Sequence, residues 1–75
     1  MVTNERVIEL IKQKIPDSEV IVDNLSGNDH LQVTVTSSVF EGLSLIKQHQ
    51  LIYSALTKEL ANEAIHALAL KTQTP

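Results

Sequence analysis

Cysteine and tryptophan are absent from this 75-residue chain, and its aromatic residues are two, Phe40 and Tyr53. Without cysteine there is no disulfide framework, no thiolate nucleophile and no zinc knuckle. A metal site must be built from His, Asp and Glu or must borrow thiolates from a partner. Two aromatics make no stacking platform for single-stranded bases. Glycine is scarce too, and Gly27 and Gly42 stand too far apart to form a phosphate-cradling loop. No apolar run approaches the ~20 residues of a membrane span, and the N-terminus has neither the charged nor the apolar region of a signal peptide. The expectation is a soluble, cytoplasmic protein with a single domain over residues 1–75, of which 72–75 form a frayed tail.

Basic charge of one sign is also lacking. Six Lys and Arg against nine Asp and Glu give a net charge of −3. Binding to a phosphate backbone works by charge neutralisation and counterion release, which needs a clustered basic face. Here Arg6, Lys12, Lys14, Lys47, Lys58 and Lys71 are spread along the whole chain.

What is present is clear patterning. Thr3 can cap a first helix with Glu5 near its positive end. Val7, Ile8, Leu10, Ile11 and Ile15 make one apolar stripe, and Pro16 stops the helix at Ile15. Glu19–Asp23 is β-branched and reads as a strand. Asn24–Asp29 is a turn in which Gly27 supplies a positive φ. His30–Thr36 alternates strictly, with Leu31, Val33 and Val35 on one face, so the two strands form an antiparallel hairpin.

Ser38 and Glu41 fit a capping box that Gly42 interrupts. Ser44 caps a main helix, roughly Leu45–Ala61, whose stripe is Leu45, Ile46, Ile52, Tyr53, Leu56 and Leu60. Asn62 is its left-handed terminator. Ala64–Thr72 reads as a third strand. A helix of about 17 residues between the second and third strands suits a right-handed crossover and a parallel pair. The order helix-strand-strand-helix-strand predicts an α+β two-layer sandwich: a three-stranded mixed sheet with both helices on one face.

Three histidines are the side chains that could add metal chemistry to that of the carboxylates. His30 opens the second strand and His66 sits near the start of the third; in a parallel pair those starts share one edge of the sheet. Alternation sets His30 opposite to Leu31, but sets His66 on the face of Leu68 and Leu70. Each has a plainer reading: His30 as a solvated turn residue, His66 as a hydrogen-bonded histidine at the core edge. His49 falls on the helix stripe and reads as structural. Two histidines do not close a zinc site, and no His-x-x-x-His spacing exists. Ser44, Ser54 and Thr57 have no His and carboxylate partners that spacing can connect into a triad. Asp23 and Asp29 flank the turn and read as solvated. From the residues alone, the chain is a small binding module with two edge histidines.

Several segments in order resemble the BolA family, in its short-loop, IbaG-like branch. Phe40-Glu41-Gly42 resembles the family's Phe-x-Gly element. Lys47-Gln48-His49-Gln50-Leu51-Ile52-Tyr53 is similar to its Arg/Lys-His-x-x-Val/Ile-Tyr helix, where Phe40, Gly42, His49 and Tyr53 hold structural places. Ile65-His66-Ala67-Leu68 resembles its most characteristic strand, and Lys71–Pro75 its usual ending. Ser26–Val33 resembles the short loop, in which a His precedes an aromatic or apolar residue.

The resemblance implies a fold similar to the type II KH domain. It further implies a non-enzymatic adaptor that binds a monothiol glutaredoxin carrying a Cys-Gly-Phe-Ser motif. Between the two, a [2Fe–2S] cluster is bridged, with Cys and a glutathione thiolate from the glutaredoxin and imidazole from this chain. By the same resemblance His66 is the first metal ligand and His30, at a position where members carry His or Cys, the second. No cofactor is expected when the chain is alone. Such a site is Rieske-like in ligand type, and it binds only through neutral imidazole, so acid should weaken it.

Departures matter as well. Leu31 stands where an aromatic is common, and Gln48 where many members have Arg. The Gly-x-x-Gly loop with which KH domains clamp nucleotides is absent. The last two departures count against the alternative, a nucleic-acid-binding transcriptional regulator. A third reading is a metal-free homodimer.

Overall fold

The computed structural model describes residues 2–26, 30–62, 64, 65 and 67–75. The first helix, α1, spans Asn4–Lys14. Thr3 caps it, its hydroxyl accepting from the Arg6 N–H at 3.1 Å. Glu5 lies in the first turn and Lys12 and Lys14 in the last, the arrangement the helix dipole favours. Val7 and Ile11, four residues apart on one side, are fully buried. The helix ends at Ile15, the residue before Pro16, with φ −131° and ψ 85°.

Two strands follow, β1 over Glu19–Ser26 and β2 over His30–Thr36. They pair antiparallel from Glu19 with Thr36 to Asn24 with Leu31, and then Ser26 pairs with His30. Leu25 is thus an extra residue, a bulge that carries β1 three residues past the expected end at Asp23. The Asn4 side-chain amide donates to Asn24 Oδ1 at 2.9 Å and ties this end of the strand to α1. Gly27 and Asp29 of the expected turn lie outside the described residues.

After β2 comes a 3-10 turn, Ser38–Phe40, then α2 over Leu45–Ala55, α3 over Thr57–Ala61 and β3 over Ala67–Gln73. β3 joins β2 in parallel, from His30 with Ala67 to Thr36 with Gln73, giving the sheet order β1-β2-β3. This is the α+β two-layer architecture with a mixed three-stranded sheet. Leu31, Val33 and Val35 point into the helix layer together with Phe40, Ile52, Leu56 and Ile65, all 2% exposed or less. α1 packs on β1 and α2, and α2 on β3.

Several local expectations are corrected. The main helix breaks at Leu56, because hydroxyls compete for its last carbonyls. Thr57 Oγ1 donates toward the Tyr53 and Ser54 carbonyls, and Ser54 Oγ donates to that of Leu51 at 2.6 Å. Half the expected stripe is off the core: Leu45 is 61% exposed, Ile46 71% and Tyr53 43%. Tyr53 lies about 100° around the helix axis from the buried Ile52, and Ile46 shares its side two turns earlier.

Asn62 is not left-handed (φ −95°, ψ 9°); its side-chain oxygen instead accepts from the Ala64 N–H at 3.0 Å. The Ile65 N–H remains bonded to the Glu59 carbonyl, so β3 begins at Ala67 rather than Ala64. Thr72, expected both at the end of the third strand and in the frayed tail, and Gln73, expected in the tail, belong to that strand. The Gln73 side chain donates to Thr36 Oγ1, and its carbonyl accepts from the Ser37 N–H.

The expected capping box is also replaced. Ser37, 1% exposed, caps the 3-10 turn by accepting from the Val39 N–H, while its hydroxyl donates to Asp17 Oδ1 at 2.8 Å. Ser38 donates to Asp17 Oδ2 at 2.8 Å. The Ser38 hydroxyl, and after it that of Ser37, hold the Asp17 carboxyl below its ordinary value. A carboxylate depressed in the folded state stabilises the fold above its unfolded pKa, and that contribution is lost as pH falls through the folded value. Wild type should therefore melt above Asp17→Asn near neutral pH, with the gap closing below about pH 4. Melting curves across that range check it.

Candidate functional site

The candidate site is the end of the sheet where β2 and β3 both start. Parallel pairing sets His30 opposite Ala67, and Leu31 opposite Leu68. Because Leu31 is buried in the core, His30 and Ala67 belong to the opposite, open face of the sheet. His30 is half-buried there, and Ala67 is exposed. His66 precedes Ala67 in the chain and itself lies outside the described residues. The expectation that His66 shares the face of Leu68 and Leu70 lies outside the described residues with it. Ile65, on the other side of it in sequence, is 2% exposed. Among the described residues no group of three or more His, Cys, Asp or Glu converges to hold a metal ion.

His49 sits within α2, half-buried, and its Nε2 is enclosed with no hydrogen-bond partner among the described residues. Phe40 is the largest fully buried side chain. It owes its place to the turn that follows. Glu41 has φ −60° and ψ 127°, Gly42 has φ +80°, and the Leu43 N–H donates to the Phe40 carbonyl at 3.0 Å. These are the dihedrals of a type II turn, whose third position favours glycine because φ is positive there. A Cβ on Gly42 would touch nothing within 4 Å, so backbone conformation rather than space selects the residue. Tyr53, expected to be structural, is 43% exposed on the outer side of α2.

The structural role of Gln48, noted in the sequence only as standing where many members have Arg, escaped sequence reasoning. Gln48 donates from Nε2 to the Leu43 carbonyl at 2.9 Å and, at 3.4 Å, to that of Phe40, and its Oε1 accepts from Thr72 Oγ1 at 2.6 Å. It thus joins the turn, α2 and β3. No spacing pattern announces a partner 24 residues away. Among the described residues no helix is long and apolar enough to cross a membrane.

Comparison with known proteins agrees with this architecture. The chain is 33% identical over 72 residues to the protein RP812 of Rickettsia prowazekii, covering 95% of this chain and 92% of that one. BolA-like protein 1 of Bos taurus is 50% identical over 46 residues, which are 61% of this chain and 33% of the longer bovine protein. The BolA domain of SufE1 from Arabidopsis thaliana superposes with a TM-score of 0.83 at 28% identity, covering 100% of this chain and 96% of that one. Residues 8–75 match the family described as BolA-like protein, and the chain belongs to that family.

Proposed function

We propose that this chain is a non-enzymatic adaptor that binds a monothiol glutaredoxin and shares or receives its [2Fe–2S] cluster. The observation that carries the reading is the parallel register, which pairs His30 with the residue directly after His66 in the chain. His66 is the next residue before Ala67 in the chain, and in this reading His30 and His66 are the two imidazole ligands. The donor set fits half of a cluster site and no more. Two imidazoles can serve one iron, and a chain without cysteine must leave the thiolates of the other iron to its partner. The cluster is cargo between the two proteins rather than a resident cofactor of this one.

Titration of the chain into a cluster-loaded monothiol glutaredoxin with glutathione, followed by visible circular dichroism, tests the reading. The expected result is a saturable spectral change at about one equivalent, lost on His66→Ala and weakened on His30→Ala. No change with the wild type would sink the proposal. A change that survives both substitutions would leave a complex but remove the imidazole ligands.

A further inference from the structure

The fold brings together two lysines that are far apart in sequence. A groove of about 410 Å³ between the end of α1 and the side of α2 is lined by Lys14, Leu43, Lys47, Gln50, Leu51 and Ser54. Its floor is aliphatic, from Leu43 and Leu51, and a cation stands on each helix. Neither lysine is ion-paired; among the described residues the ion pair is that of Arg6 with Glu9. Lys47 occupies the first turn of α2, which contains no acidic residue. A cation there opposes the positive end of its own helix dipole, so the charge of Lys47 has no compensation from α2. That of Lys14 is partly offset by the C-terminal end of α1. The groove is locally cationic despite the net charge of −3. The Gln50 side chain makes no hydrogen bond among the described residues and offers a free amide beside it.

We propose that this groove seats an acidic segment of a partner protein, its carboxylates on Lys14 and Lys47 and an aliphatic side chain against Leu43 and Leu51. Charge complementarity selects the acidic ligand, and the aliphatic floor selects a peptide over a polyphosphate. No aromatic ring is available in the groove for base stacking: Phe40 is buried in the core and Tyr53 is not among the lining residues. Lys14 lies just before the turn into β1, and Leu43 follows the turn that leaves β2. The groove therefore belongs to the end of the sheet where Glu19 pairs with Thr36. His30 is at the other end of β2, about 20 Å along the strand from Thr36. Occupancy of the groove is thus independent of the cluster reading, and each can fail alone.

Amide NMR of the full chain, titrated with a blocked peptide of alternating glutamate and leucine, tests this without any cluster or glutaredoxin. Saturating shifts are expected at Lys14, Leu43, Lys47 and Leu51, and none with the peptide in which lysine replaces glutamate. Lys47→Glu should weaken binding about tenfold or more. The same substitution should raise the melting temperature, because an acid suits a helix N-terminus. Lost affinity with gained stability separates a missing contact from misfolding; Lys14→Gln provides the second arm. The proposal is overturned by affinity that survives both substitutions or by the absence of saturation at millimolar peptide. It is equally overturned if a single-stranded oligonucleotide displaces the peptide from these amides, or if the amides shift with protein concentration alone.

Discussion

Phe40→Ala is expected to leave the chain largely unfolded at 25 °C. Removing a buried phenylalanine ring costs about 3–5 kcal/mol, the transfer free energy plus the cavity left behind. Domains of this length rarely hold more than about 3–5 kcal/mol in total. The ring is 1% exposed, and it is the chain's only phenylalanine. Phe40 belongs to one core cluster with Ile11, Leu31, Ile52, Leu56 and Ile65, the next largest fully buried side chains, so a void in that core would loosen both layers. Phe40→Leu, which keeps much of the volume, should cost only about 1 kcal/mol. Far-ultraviolet circular dichroism with urea titration distinguishes the outcomes: no cooperative transition for alanine, a modestly lowered midpoint for leucine. A cooperative transition for the alanine variant within about 1 kcal/mol of wild type would mean that the 3-10 turn is not part of the core.

The same ring shows how far sequence reasoning reaches. Phe-x-Gly was legible as a motif, and the family resemblance gave Phe40 a structural place. That the glycine completes a type II turn depends on dihedrals at Glu41 and Gly42, which a motif does not encode. The periodic elements were the most legible. Strict alternation over His30–Thr36 fixed which face of β2 enters the core, because a one-residue slip would expose Leu31, Val33 and Val35 together. The parallel pairing of β2 with β3 followed from the length of the crossover between them.

What was not legible lies where long-range partners decide. A stripe through Leu45, Ile46 and Tyr53 was plausible from apolar content, yet the helix can turn only one side to the sheet, and that side is set by Ile52. The extension of β3 beyond Thr72 to Gln73 depends on its ladder with β2, which no local propensity at Gln73 foretells. Lys14 and Lys47 looked scattered because their approach depends on how α1 and α2 pack. The pairing of His30 with Ala67 is the middle case: the shared edge followed from topology, the register did not.

Gln48 gives the second large effect. Gln48→Leu should destabilise the chain by about 1–3 kcal/mol, since it strips a half-buried donor from two carbonyls and an acceptor from a hydroxyl. Gln48→Arg separates those losses. A guanidinium can still donate to the Leu43 and Phe40 carbonyls, but it accepts nothing, so Thr72 Oγ1 alone loses its partner. That variant should cost about 0.5–1.5 kcal/mol, and so should Thr72→Val, which deletes the same bond from the other side. Because both remove one interaction, the double variant should cost clearly less than the two singles together. Urea denaturation of the four proteins measures this coupling. Additivity within about 0.3–0.5 kcal/mol would mean that the 2.6 Å contact contributes nothing. Non-additivity would establish Gln48 as the tie that fixes α2 against β3. Through its bonds to the turn, that tie also fixes Leu43 at the groove beside Lys47.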